Sequence, residues 1–126
     1  MFDHAGFDVR DLKKSMAFYD AALAALGVKR LVFMEEYAVA GYGREGERPK
    51  FWVAEGAPTN GDDDVHLCFS AKTRAEVDAF HAAALRAGGR DNGAPGLRPI
   101  YHANYYGGFV LDPDGNGMEA CCHSPA

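Results

Sequence analysis

An internal repeat constrains this chain more than any other feature. Slid against itself by 62 residues without a gap, the segment His4 to Asp11 aligns with His66 to Thr73. The same register pairs Ala17-Phe18 with Ala79-Phe80, Ala21-Ala22-Leu23 with Ala83-Ala84-Leu85, and Gly27 with Gly89. Alanine-rich helices produce some such matches by chance. A histidine, two phenylalanines and a terminal glycine in one ungapped register point instead to a duplicated unit. At 126 residues the chain holds one small domain built from both copies, not two with complete cores of their own. The copies run over about residues 1–60 and 64–124 of a single domain spanning 1–126.

Each copy opens on an alternating stretch, Phe2 to Val9 and Val65 to Ser70, the pattern of a strand with one apolar face. A helix follows. In the first copy Asp11 is the N-cap, and Leu12, Met16, Tyr19, Leu23 and Leu26 recur at three- and four-residue steps until Gly27. In the second, Thr73 and Glu76 make a capping box ahead of Val77, Phe80, Ala84 and Leu85, and Gly88-Gly89 ends the helix. Three strands are then expected in the first copy: Arg30 to Glu36, Tyr37 to Tyr42 and Lys50 to Glu55. In the second, Arg90 to Asn92 leads into an irregular region, followed by Tyr105 to Leu111, the turn Asp112-Pro113-Asp114-Gly115 and Met118 to Cys122. The fold class is therefore α+β, with each unit a strand, a helix and three more strands. Asn60 to Asp64, with three consecutive acids, is a solvated hinge.

The formal net charge of −5 provides no footprint for nucleic acid or an anionic membrane. No apolar run approaches the roughly 18 residues of a membrane span, and no basic stretch leads into a hydrophobic one near Met1. A cytoplasmic protein is the expectation. Three cysteines, an odd count with Cys121 and Cys122 adjacent, argue for reduced thiols. Beside His123 that adjacent pair lacks the spacing of a structural zinc site.

Strand alternation makes a chemical statement. His4, Gly6 and Asp8 oppose Ala5, Phe7 and Val9; His66, Cys68 and Ser70 oppose Val65, Leu67 and Phe69. Near the C-terminus Glu119, Cys121 and His123 oppose Met118, Ala120 and Cys122. If the two sheets curl toward each other, His4 and His66 converge and Glu119 adds a carboxylate. Two imidazoles and one carboxylate leave open positions on a divalent Fe, Mn, Ni, Co or Zn, which polarises a bound oxygen. A lone strand histidine is more often a hydrogen-bonded structural residue; the symmetric placement of the pair is what singles these out. His81, at the helix position of Tyr19, reads as a partly buried or interface residue. Trp52, Tyr37, Tyr42, Tyr101, Tyr105 and Tyr106 are candidate pocket aromatics. Cys68 and Cys121 are candidate substrate contacts, although a thiol placed like Cys68 is more often a small structural residue. His102, Tyr105 and Tyr106 are candidate acid–base residues.

The run His4 to Val9 with Asp11 to Tyr19 and Leu26-Gly27, then His66, then Phe109-Val-Leu-Asp112-Pro113-Asp114-Gly115-Asn-Gly-Met-Glu119, resembles the vicinal oxygen chelate superfamily over nearly the whole chain. That superfamily includes glyoxalase I, fosfomycin-resistance thiol transferases, extradiol dioxygenases and bleomycin-resistance binding proteins. The resemblance implies paired βαβββ modules forming an incomplete curved barrel around the ligand, often across a homodimer, with metal ligands at His4, His66 and Glu119. Glyoxalase I members add a fourth ligand from the last strand of the first module. Here Trp52 or Val53 stands at that place, and Glu55 serves only if the register is off by two residues. Two histidines and one glutamate are closer to the thiol-transferase and dioxygenase branches, the former with a thiol cosubstrate. Two functions stay open: a metal-dependent lyase, isomerase, transferase or dioxygenase acting on a small oxygen-chelating substrate, or a metal-independent small-molecule binding or sequestration protein of the bleomycin-resistance type.

Overall fold

The apolar stripe of each helix needs a sheet to cover it, and the alternating strands of each copy supply one. In the computed structural model, which describes residues 1–126, the first module comprises β1 (Ala5–Val9), α1 (Leu12–Ala24), β2 (Lys29–Met34), β3 (Val39–Gly43) and β4 (Phe51–Glu55). The second comprises β5 (His66–Ser70), α2 (Arg74–Arg86), β6 (Arg90–Leu97), β7 (Tyr106–Leu111) and β8 (Gly117–Cys122). Their sheets have the orders β1-β4-β3-β2 and β5-β8-β7-β6 and do not join into a closed barrel. First and last strands of each module pair in parallel. Such pairing requires a long crossover, which the helix begins. No helix is long and apolar enough to cross a membrane.

The repeat is sharpest at the helices, where α2 starts and ends 62 residues after α1. Their caps match as well. Asp11 accepts the Lys14 N–H at 3.1 Å and Thr73 Oγ1 that of Glu76 at 3.1 Å. The Glu76 carboxylate takes the Lys72 N–H at 2.6 Å, one residue outside the reciprocal bond of a full capping box.

Inner strand faces and both helices build one core. Phe51 meets the rings of Phe7, Tyr19, Tyr42 and Phe69 at centroid distances of 4.9 to 6.0 Å, and Phe69 meets Phe80 of α2. A polar tie crosses the same junction. The Tyr19 hydroxyl donates to Asp112 Oδ2 at 2.5 Å, Asn116 Nδ2 donates to that oxygen at 2.9 Å, and Oδ1 accepts the N–H groups of Asp114 and Asn116. Burial and then the Asp112 charge hold the Tyr19 phenol well above its ordinary pKa. The turn before β8 is thereby anchored to α1.

Several strand limits differ from expectation. β1 and β5 begin at Ala5 and His66, three residues and one residue late. Tyr37 does not open a strand but closes a 3-10 turn, Glu35–Tyr37, with Ala38 left-handed at φ 50° ahead of β3. β6 continues to Leu97 through the region expected to be irregular. Register shifts at Asp91/Gly93 and Gly93/Gly96 interrupt its pairing with β7, which hides the two-residue alternation.

Gly6 faces the Trp52 backbone across the β1–β4 pair, where an added Cβ would stand 2.6 Å from the Trp52 carbonyl oxygen. Backbone cannot swing aside as a side chain can. Gly6→Ala is expected to cost about 1–3 kcal/mol in thermal or urea unfolding; wild-type stability would contradict this packing.

Candidate functional site

Parallel register sets Cys68 beside Glu119 and His66 beside Gly117, so His66, Cys68 and Ser70 share the outer face of the second sheet with Glu119 and Cys121. From that face His66 and Glu119 line a cleft of about 940 Å³. His66 Nε2 lies 3.0 Å from Glu119 Oε1, and the Tyr105 hydroxyl donates to Oε2. The Glu119 side chain is 4% exposed and that of His66 51%. A carboxylate so buried needs both partners. Burial and then the bond to Glu119 push the Tyr105 phenol up, so it holds its proton and donates. Gly107 on β7 leaves room for the carboxylate: a Cβ there would lie 3.0 Å from Glu119 Oε2.

The second module departs from the first between β6 and β7, where residues 98–105 take the place of the short turn at 35–38 and line the cleft. His102 Nδ1 accepts the Asn104 N–H at 3.1 Å, so its Nε2 is the donor to His123 Nδ1 at 2.8 Å. His123 then presents Nε2–H to Cys121 Sγ at 3.7 Å. Tyr105 sets its edge against both imidazoles. Phe109 lies near the His66 ring at 6.4 Å and the Arg98 guanidinium at 5.2 Å. Arg98 donates only to the backbone carbonyls of Ala94 and Leu97. It is the cleft's one arginine, with no lysine, and has no carboxylate partner.

His4 sits elsewhere. It lines a separate cleft with Asp3, Arg48, Pro49 and Trp52, and its Nδ1 is 2.7 Å from Asp3 Oδ1. One chain thus brings His66 and Glu119 together and leaves His4 apart. The registers also identify the counterpart of Glu119 in the first module. Gly6 is the repeat mate of Cys68; Gly6 pairs with Trp52 as Cys68 pairs with Glu119, so Trp52 occupies that position. Glu55 pairs with Val9 and accepts the Leu12 N–H at 3.0 Å, a helix-capping role in the first module.

Four expected pocket aromatics, Trp52, Tyr37, Tyr42 and Tyr106, lie outside this cleft. Tyr106 pairs with Cys122 on the core side, donates to Asp78 at 2.7 Å and carries Arg74 over its ring. Tyr37 is 72% exposed on its turn. His81 is buried on α2 with Nε2 2.9 Å from Asp91. Cys121 lies on the outer sheet face with Glu119 and Cys122 in the core, as alternation requires. Donor atoms of Cys68, Glu119 and Cys121 lie within 4.8 Å of one another. Sequence reasoning missed Arg98, Asn92 and Phe109 as cleft residues. Phe109 had a signal, since it pairs directly with Glu119.

Two ligands about 2.0–2.2 Å from one cation stand roughly 3 Å apart, as His66 Nε2 and Glu119 Oε1 do. The chain's own cleft therefore fits two members of a three-ligand set. The profile of the Glyoxalase/Bleomycin resistance protein/Dioxygenase superfamily matches residues 1–120. No curated protein sequence matches. Among solved structures, a glyoxalase/bleomycin resistance protein from Albidiferax ferrireducens T118 is 32% identical over 97% of this chain and 98% of that one, with a TM-score of 0.82. A glyoxalase/bleomycin resistance protein/dioxygenase family enzyme from Burkholderia phytofirmans PsJN is 19% identical over 97% and 98%, with a TM-score of 0.74. A mutant of the fosfomycin resistance protein FosX from Listeria monocytogenes, complexed with Mn(II) and 1S,2S-dihydroxypropylphosphonic acid, is 17% identical over 95% and 87%, with a TM-score of 0.70. The last two likenesses are of fold alone.

Proposed function

Because the chain belongs to the Glyoxalase/Bleomycin resistance protein/Dioxygenase superfamily, we propose that the cleft around His66 and Glu119 is the active centre of a divalent-metal-dependent enzyme acting on a small oxygen-chelating substrate. His4 of the partner subunit completes the ligand set in a homodimer. One observation carries this reading: a buried carboxylate 3.0 Å from an imidazole nitrogen on the floor of a large cleft, while the chain's own His4 lies in another. A second copy also explains the outer face of the first sheet. There Val32, Met34 and Val39 share the sheet face of Trp52, which lines the His4 cleft.

When bound, the divalent cation supplies Lewis acidity toward vicinal substrate oxygens. The chain's residues do the rest. Tyr105 keeps its proton and fixes Glu119, Phe109 and Tyr101 offer flat walls, and Arg98 receives an anionic group of the substrate one ring away from His66. The hydrogen-bonded His102–His123 pair holds protons at the rim.

Equilibrium dialysis of untagged protein against Mn(II) tests the reading. One ion per chain is expected, with affinity lowered more than about 100-fold by His66→Ala, beyond the loss typical of an outer partner. Small-molecule binding with no Mn(II) uptake, or uptake unchanged in His66→Ala, would instead describe a metal-independent binding protein.

A further inference from the structure

The outer face of the second sheet carries two thiols beside Glu119 that a centre of two histidines and one glutamate leaves unused. Cys68 on β5 and Cys121 on β8 are both free. Parallel pairing aligns Cys68 with Glu119, and the two-residue period sets Cys121 next on the same face. Both sulfurs and a Glu119 oxygen lie within 4.8 Å of one another, and His66 Nε2 stands 3.0 Å from that carboxylate. We propose that Cys68, Cys121 and Glu119, with His66 as fourth donor, bind a thiophilic cation of the zinc(II) and cadmium(II) class wholly within one chain.

Donor number and kind support this. Two sulfurs, one oxygen and one nitrogen make a four-coordinate set; bonds of about 2.3 Å to sulfur and 2.0–2.2 Å to nitrogen and oxygen put neighbouring donors roughly 3–4 Å apart. The Cys68, Glu119 and Cys121 donors need only a small contraction, and His66, 3.0 Å from the Glu119 carboxylate, is the adjacent donor. Thiolates select zinc-like cations over manganese or magnesium. Each thiol that binds the cation releases one proton to solvent.

This site shares His66 and Glu119 with the proposed active centre but needs neither His4 nor a second copy. It rests on that reading only in taking the cleft as metal-binding. The test is titration of the metal-free, full-length protein with Cd(II), following the ultraviolet thiolate-to-cadmium charge-transfer band. One equivalent per chain is expected to saturate the band. Affinity falls more than about 100-fold in Cys68→Ser and in Cys121→Ser; Cys122→Ala leaves it unchanged. Circular dichroism checks that each variant is folded. Cys68→Ala, at an exposed position, repeats the test without a hydroxyl donor. Cd(II) uptake without a thiolate band, a band that survives loss of Cys68, or one that vanishes in His4→Ala overturns the proposal. Mn(II) uptake with no thiolate band in Cd(II) overturns this site alone, whereas absence of both overturns the active-centre reading with it.

Discussion

Asp112→Ala is expected to lower the melting temperature by about 10–20 °C, equivalent to roughly 3–5 kcal/mol. The substitution strands several groups at once. Tyr19, 0% exposed, loses the acceptor of its hydroxyl; Asn116, 3% exposed, loses that of its amide; two turn N–H groups lose theirs. Each buried unpaired polar group costs about 1–3 kcal/mol. Tyr19→Phe removes only one donor and should cost less, so the pair of variants separates the loss of one bond from collapse of the turn. Because that turn leads directly into β8, Asp112→Ala should also weaken Mn(II) binding through Glu119. A shift under about 5 °C in differential scanning calorimetry would show that the modules are held together mainly by the aromatic contacts around Phe51 and Phe69.

What was legible in the chain follows from which signals are local. The repeat register placed both helices, because their caps at Asp11 and Thr73 and their apolar stripes are set by nearest neighbours. The faces of β1, β5 and β8 were legible for the same reason, and they set Glu119 and Cys121 with His66 and Cys68. β6 was not: Gly93, at φ 146°, and Pro95 sit within its register shifts and erase the alternation that marks a strand. Tyr105 and Tyr106 are adjacent and chemically alike, so only the pairing of Tyr106 with Cys122 decides that Tyr105 reaches Glu119. Arg98 lies where the second module departs from the first, and no repeat mate announces it. His4 and His66 are equivalent by sequence yet part company in space. Both helices and both inner sheet faces are spent on one core, and each histidine is left on an outer face with its own cleft.

That separation makes a shared centre the central claim, and complementation tests it most directly. His4→Ala and Glu119→Ala are each expected to reduce Mn(II) affinity more than about 100-fold, since each removes a ligand. Mn(II) is the probe because thiolates hold it poorly, so Cys68 and Cys121 contribute little to the reading. When the two variants are co-refolded, random pairing makes about half the dimers mixed. Each mixed dimer has one centre lacking both ligands and one that is intact, so about a quarter of wild-type Mn(II) sites should return. Recovery near that level, absent from either variant alone, is the predicted result. No recovery, with mixed dimers present, would place His4 and Glu119 in the same chain's centre; wild-type binding by His4→Ala alone would remove His4 from it.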